Sequence, residues 1–147
     1  MDEKMMNHQQ VLILCTGNSC RSHIAEGLIN HYLGDKWQAY SAGTEPAGYV
    51  HPMAIAALSE LGIDISDHTS KSIEEFRESI LDWVITVCDD ALENCPLWLG
   101  QGSTVHFGYL DPAKATGTDF EKMAVFRQVR DEINNDVLGF LRAADNF

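Results

Sequence analysis

Two runs with almost no polar residue, Val11-Leu12-Ile13-Leu14 and Trp83-Val84-Ile85-Thr86-Val87-Cys88, constrain this chain most. A strand that faces water on one side alternates apolar and polar residues, whereas a strand covered on both sides does not. Both runs therefore read as interior strands of a parallel sheet. Residues 37–41 and 103–107 read as two shorter strands. Helical signals fall between them. Ile24, Leu28, Ile29, Tyr32 and Leu33 share a face at 3.6-residue spacing, and Gly34 ends that segment. Pro52 suits a first helical turn and Gly62 closes the segment after it. Ser72 with Glu75 reads as a capping box before Phe76 and Ile80. Thr118 with Glu121 reads as another, opening the longest helix, with Val129, Ile133, Val137 and Phe140 on one side. The alternation predicts an α/β fold: a three-layer sandwich around a four-stranded open parallel sheet.

The 147 residues suit a single domain, 1–147, with no repeat, linker or low-complexity segment. No apolar stretch approaches the ~20 residues that span a bilayer, and the polar start, residues 1–10, lacks the apolar centre of a secretion signal. A cytoplasmic monomer is expected. The formal charge of −12 disfavours nucleic acid and anionic membrane surfaces as partners. An anion handled by this chain needs a local positive site inside a repulsive overall field.

In a sheet of this kind, ligands bind outside the carboxyl ends of the strands. Cys15 ends the first strand, Ser41 the second and Cys88 the third, and Asp111 lies just past the fourth. Residues distant in sequence thus converge on one edge. The loop that follows Cys15 reads Thr16-Gly17-Asn18-Ser19-Cys20-Arg21-Ser22. A strand that turns tightly into a helix aims several backbone N–H groups, and the positive end of the helix, at one point. Gly17 offers unusual backbone conformations and Asn18 a bracing side-chain amide. Arg21 can grip two oxygens of a tetrahedral oxyanion. The same environment favours the thiolate, the nucleophilic form of a cysteine, at Cys15, and Ser22 can donate a hydrogen bond to it. Cys20 has no evident partner and reads as packing. The four cysteines are Cys15, Cys20, Cys88 and Cys95. Without a Cys-x-x-Cys pair the usual zinc spacing is missing, and no metal is expected at this site.

"CTGNSCRS" followed by "AEG", with "YSAG" at residues 40–43, resembles the low-molecular-weight tyrosine phosphatase superfamily. "VCDDALENCP" at 87–96, "HFGYLDPA" at 106–113 and "FRQVRDEI" at 126–133 make the thioredoxin-coupled arsenate reductases the nearest group. The resemblance implies a low-molecular-weight-phosphatase-like fold and a cysteine relay. Cys15 attacks arsenic, Arg21 binds the oxyanion together with residues 16–22, and Asp111 protonates the departing hydroxyl. Cys88 then attacks the Cys15 adduct, and Cys95 attacks Cys88. Thioredoxin reduces the resulting Cys88–Cys95 bond, and no cofactor is tightly bound. Some relatives hold potassium near the loop; Asn18, Glu26, Ser41 and Thr69 match that site, but the fifth position is Lys71. The ammonium is expected to replace the ion by pairing with Glu26. The rival activity in the same superfamily is phosphotyrosine hydrolysis, which has no use for Cys88 and Cys95. The phosphatases also carry aromatic residues after the Asp-Pro acid, where this chain has Ala113, Lys114 and Ala115.

If residues 88–95 formed a regular helix, seven steps of ~1.5 Å would separate the two cysteines by ~10.5 Å. A disulfide needs Cα atoms within roughly 7 Å. Oxidation is therefore expected to open this segment, and faster hydrogen exchange at 89–94 in the oxidised protein is the sign to look for.

Overall fold

The computed structural model describes residues 8–89, 98 and 100–144. Its sheet has four parallel strands, β1 (Gln9–Cys15), β2 (Trp37–Gly43), β3 (Trp83–Thr86) and β4 (Ser103–His106), in the order β2-β1-β3-β4. The helices are α1 (Arg21–Tyr32), α2 (Pro52–Ser59) and α3 (Asp119–Ala144). Short 3-10 turns span Ile73–Phe76 and Pro112–Lys114. From β1 the chain passes to β2 on one side and reaches β3 on the other. The direction of winding therefore reverses between β1 and β3, which is where such sheets bind ligands.

The unbroken apolar run in β1 serves two cores. Val11, Ile13 and Cys15 face one core, built with Ile24, Leu28 and Ile29 of α1, Ala54, Ala57 and Leu58 of α2, and Val129, Ile133 and Val137 of α3. Leu12 and Leu14 face the other with Ala42, Ile73, Leu81, Val84 and Trp98. Removing one such aliphatic side chain from water stabilises the fold by about 2 kcal/mol, so a solvated face on β1 is ruled out. The three-layer reading holds, and among the described residues the second face is covered by the Ile73–Phe76 turn rather than by a helix.

Some boundaries differ from the sequence reading. β2 runs on to Gly43 because Cys15 pairs with it. β3 stops at Thr86, two residues before Cys88, after its last pairing with Leu14 of β1. The Thr118–Glu121 capping box is present in both directions: Thr118 Oγ1 accepts from the Glu121 N–H and Glu121 Oε1 from the Thr118 N–H, each at 3.1 Å. Ser72 forms no such box. Its hydroxyl accepts from the Glu74 N–H at 3.2 Å, and the turn ends at Phe76. Ile80, 84% exposed, has no core to enter, so a longer helix would bury nothing there.

Glu60 caps the end of α2 and ties it to α3 through Arg127, at 2.7 Å, and Arg130, at 2.8 Å. Hydrogen bonds from both guanidinium groups push its carboxyl down from 4.5 to about 2. A depressed carboxyl contributes stability that is present above its unfolded value and is lost as pH falls through its folded value. Glu60→Gln is therefore expected to flatten the loss of stability between pH 4.5 and pH 2, by a small amount because the pair is solvated. Urea unfolding at stepped pH checks this; parallel curves for the two proteins would contradict it.

Candidate functional site: the loop from β1 to α1

Cys15 is 2% exposed at the carboxyl end of β1. Its Sγ lies 3.0 Å from Ser22 Oγ and accepts from the Asn18 N–H at 3.3 Å. Asn18 Nδ2 donates to Ser22 Oγ at 2.7 Å, which leaves the serine hydroxyl hydrogen free to point at sulfur. Asn18 Oδ1 accepts from the Lys71 N–H at 2.7 Å, and His23 Nε2 donates to the Asn18 carbonyl at 3.1 Å. Asn18 is fully buried and has φ 45°, the left-handed region. The unusual backbone conformation expected at Gly17 belongs to Asn18 instead, because this residue's side chain and both backbone groups are hydrogen-bonded in that geometry.

The loop carbonyls point outward. Thr16 O accepts from the Glu45 N–H, Gly17 O from Ala47 and Ser19 O from His51, at 2.8 to 2.9 Å. Because a trans peptide sets C=O and the next N–H in opposite directions, the N–H groups of Gly17, Asn18 and Cys20 face inward. α1 begins at Arg21 with no side chain capping it, which adds the helix's positive end. A cavity of about 250 Å³ lies at this point, lined by Cys15, residues 16, 17 and 19–21, and by Glu45, Asp111 and Lys114. It is an oxyanion-sized pocket with a sulfur at its base.

Gly43 fits against the loop because it has no side chain. A Cβ there would lie 2.5 Å from Thr16 O and 3.0 Å from the Asn18 N. Both are backbone atoms, so the loop would have to move. Gly43→Ala is expected to cost about 2 kcal/mol and to weaken oxyanion binding; urea unfolding and phosphate titration measure both. Unchanged phosphate affinity would argue against this packing.

Arg21 is buried, and its Nη1 donates to the Tyr109 carbonyl at 3.0 Å while Nη2 lies 3.7 Å from Asp111 Oδ2. Tyr109 is in turn fixed by its hydroxyl, which donates to Asp136 Oδ2 on α3 at 3.0 Å; burial, with Asp136 beside it, raises its pKa. Asp111 does two things. Its Oδ1 accepts from the Ala113 N–H and shapes the Asp-Pro turn, and its carboxylate also faces the pocket. Burial pushes the Cys20 thiol up to about 12, so it stays protonated, in keeping with a packing role. Cys88 is fully buried just past β3 and is disulfide-bonded, while Cys15 and Cys20 are free thiols. Cys95 lies outside the described residues, as does most of the segment 88–95.

Sequence reasoning missed four contributors. Lys114 brings a second cation to the pocket; its place two residues after the Asp-Pro pair was the available signal. Tyr109 anchors Arg21 from 88 positions away. His23 and His68 flank Glu26, and the His-x-x-Glu spacing on α1 hinted at the first of them.

The residues that resemble a potassium site do not suit that ion here. The Lys71 ammonium donates to the Thr69 carbonyl at 2.7 Å, and Asn18 Oδ1 is taken by the Lys71 N–H. The expected Lys71–Glu26 pair is not formed. Among the described residues Glu26 contacts Ser41 Oγ, His23 and His68. Burial alone would raise the Glu26 pKa. The Ser41 hydrogen bond, with the His23 and His68 rings and Lys71 close by, outweighs burial and holds the carboxyl below its ordinary range.

The low molecular weight phosphotyrosine protein phosphatase family matches residues 10–146. An arsenate reductase of Halalkalibacterium halodurans is 50% identical over 135 residues, covering 92% of this chain and 96% of that protein. A solved arsenate reductase in the phosphate binding state superposes with a TM-score of 0.74 at 33% identity, over 92% of this chain and 98% of the other. The thioredoxin-dependent arsenate reductase of Corynebacterium glutamicum gives 0.64 at 26% identity, over 92% of this chain and 61% of the other. The loop, its buried sulfur and these likenesses agree: the chain belongs to the low molecular weight phosphotyrosine protein phosphatase family, within its arsenate reductase group.

Proposed function

We propose that this chain reduces arsenate to arsenite by a relay from Cys15 to Cys88 to Cys95, with thioredoxin as the external reductant. The observation that carries the reading is the pairing of two features at one sheet edge. One is an oxyanion pocket with a free thiol at its base; the other is a second, disulfide-bonded cysteine just past the neighbouring strand. A phosphatase needs only the first.

Arsenate enters with its oxygens against the inward N–H groups and the Arg21 guanidinium, and Lys114 adds positive charge at the rim. The Cys15 thiolate, supported by the Asn18 N–H and the Ser22 hydroxyl, attacks arsenic. An S–As bond forms, and one hydroxyl departs as water with a proton from Asp111. The Cys88 thiolate then attacks the Cys15 sulfur. The S–As bond breaks, its electron pair stays on arsenic, and As(V) becomes As(III) as two thiols become one disulfide. Cys95 exchanges into that disulfide and frees Cys15. Thioredoxin reduces the Cys88–Cys95 bond at the cost of its own two thiols.

No helix among the described residues is long and apolar enough to cross a membrane. We take the chain to act as one domain, as a monomer in the cytoplasm, without a tightly bound cofactor. An assay coupling arsenate to NADPH through thioredoxin and its reductase tests the activity. Sustained NADPH consumption that depends on both arsenate and thioredoxin is expected. Multiple turnover of an aryl phosphate with no arsenate reduction would replace this reading with the phosphatase one.

A further inference from the structure

We propose that His23, Glu26 and His68 form a binding site for a divalent transition-metal ion of the zinc type, directly behind the anion loop. It stands independently of the arsenate reading. The three ligand atoms lie close together: His23 Nδ1 to His68 Nδ1 is 3.2 Å, His23 Nδ1 to Glu26 Oε1 is 3.5 Å, and His68 Nδ1 to Glu26 Oε1 is 3.6 Å. In a tetrahedral site with bonds of 2.0–2.1 Å, ligand atoms are about 3.3 Å apart. The triangle therefore already has the size of three corners of such a site. The fourth corner is left for water.

The protonation of His23 fits this role. Its Nε2 faces the Asn18 carbonyl, which can only accept, so Nε2 carries the hydrogen and Nδ1 of the neutral ring presents a lone pair to the triangle. Metal-bound histidines are held in this manner, with the distal N–H given to a carbonyl or carboxylate. Ser41 Oγ donates to Glu26 Oε1 and orients the carboxylate. The ring of His68 then donates from Nδ1 to His23 Nδ1; on metal binding that hydrogen moves to Nε2, and no net proton is released.

Donor chemistry selects the ion class. Two imidazoles and one carboxylate suit zinc, cobalt or nickel, whereas potassium and magnesium prefer all-oxygen sites. His23 is fully buried, but the side chains of Glu26 and His68 are 13% and 18% exposed, so the ion enters from the His68 side. A bound ion would join α1 to the segment carrying His68, one hydrogen bond away from Asn18.

The test uses the full chain carrying Cys15→Ser, under non-reducing conditions, so that thiols do not compete. Cobalt(II) is expected to bind at one equivalent, with the visible bands of a four-coordinate ion and no near-ultraviolet sulfur-to-cobalt band. Zinc should displace it and raise the unfolding temperature; a hundred-fold excess of potassium should not displace it. His68→Ala and His68→Gln should each weaken cobalt binding by more than about a hundred-fold. Circular dichroism and unrelated thermal unfolding should report an intact fold for at least one of them. Absence of binding, a sulfur band, displacement by potassium, or unchanged affinity in the folded His68 variants would each overturn the assignment.

Discussion

Cys15→Ser is expected to abolish arsenate turnover, by about 10,000-fold or more. A serine hydroxyl in the same place is scarcely ionised at neutral pH and offers arsenic no comparable nucleophile. It is also nearly the same size, so the pocket should persist and phosphate should still bind. Cys88→Ser should likewise stop turnover, because the S–As adduct can form but nothing opens it to release arsenic as As(III). Cys95→Ser should differ in kind. The Cys15–Cys88 disulfide can still form once, so rapid mixing should release about one equivalent of arsenite and then stop. Sustained turnover in either of the first two variants would end the relay scheme. Continued cycling in the third would mean that the external reductant takes the Cys15–Cys88 bond directly.

Removing the Asn18 side chain is expected to have the next largest effect. Asn18 braces Ser22 Oγ at 2.7 Å and ties the loop to the Lys71 N–H at 2.7 Å while fully buried. Glycine at this position keeps the positive φ without strain but loses both hydrogen bonds. Asn18→Gly should therefore destabilise the protein by about 2–3 kcal/mol. It should also lower arsenate turnover about 100-fold, the scale seen when one preorganised donor is lost. Asn18→Ala loses the same bonds and adds left-handed strain of about 1–2 kcal/mol, partly offset by the stiffer unfolded chain. Alanine should consequently be the less stable of the two by somewhat under 1 kcal/mol. Urea midpoints and steady-state rates for the pair decide it. An alanine variant more stable than the glycine one would contradict the conformation at φ 45°.

Much of the site was legible because its wiring is local. Cys15, Asn18 and Ser22 meet within seven positions, and a strand-loop-helix transition forces such residues together whatever the rest of the chain does. The capping box at Thr118 was legible for the same reason. Ser72 carried a similar signal and misled. Whether a capped turn grows into a helix depends on a core for its later residues, and here Ile80 meets solvent. The Lys71–Glu26 pair failed for a related reason. The formal charges favoured it, but the fold set two imidazoles and a serine around the carboxylate and a backbone carbonyl in front of the ammonium.

The order of residues by itself determined the strand and helix periods, the loop of inward amides and the thiol at its base, since each depends on neighbours along the chain. Tertiary structure alone decided that the Tyr109 carbonyl holds Arg21 across 88 positions, that Asn18 rather than Gly17 takes the left-handed turn, and that His68 joins His23 across 45. Those contacts depend on how α1 and the loop before it are placed against the segment after β4 and the segment carrying His68. That placement is set by the summed burial of two cores, and no local pattern of side chains encodes it.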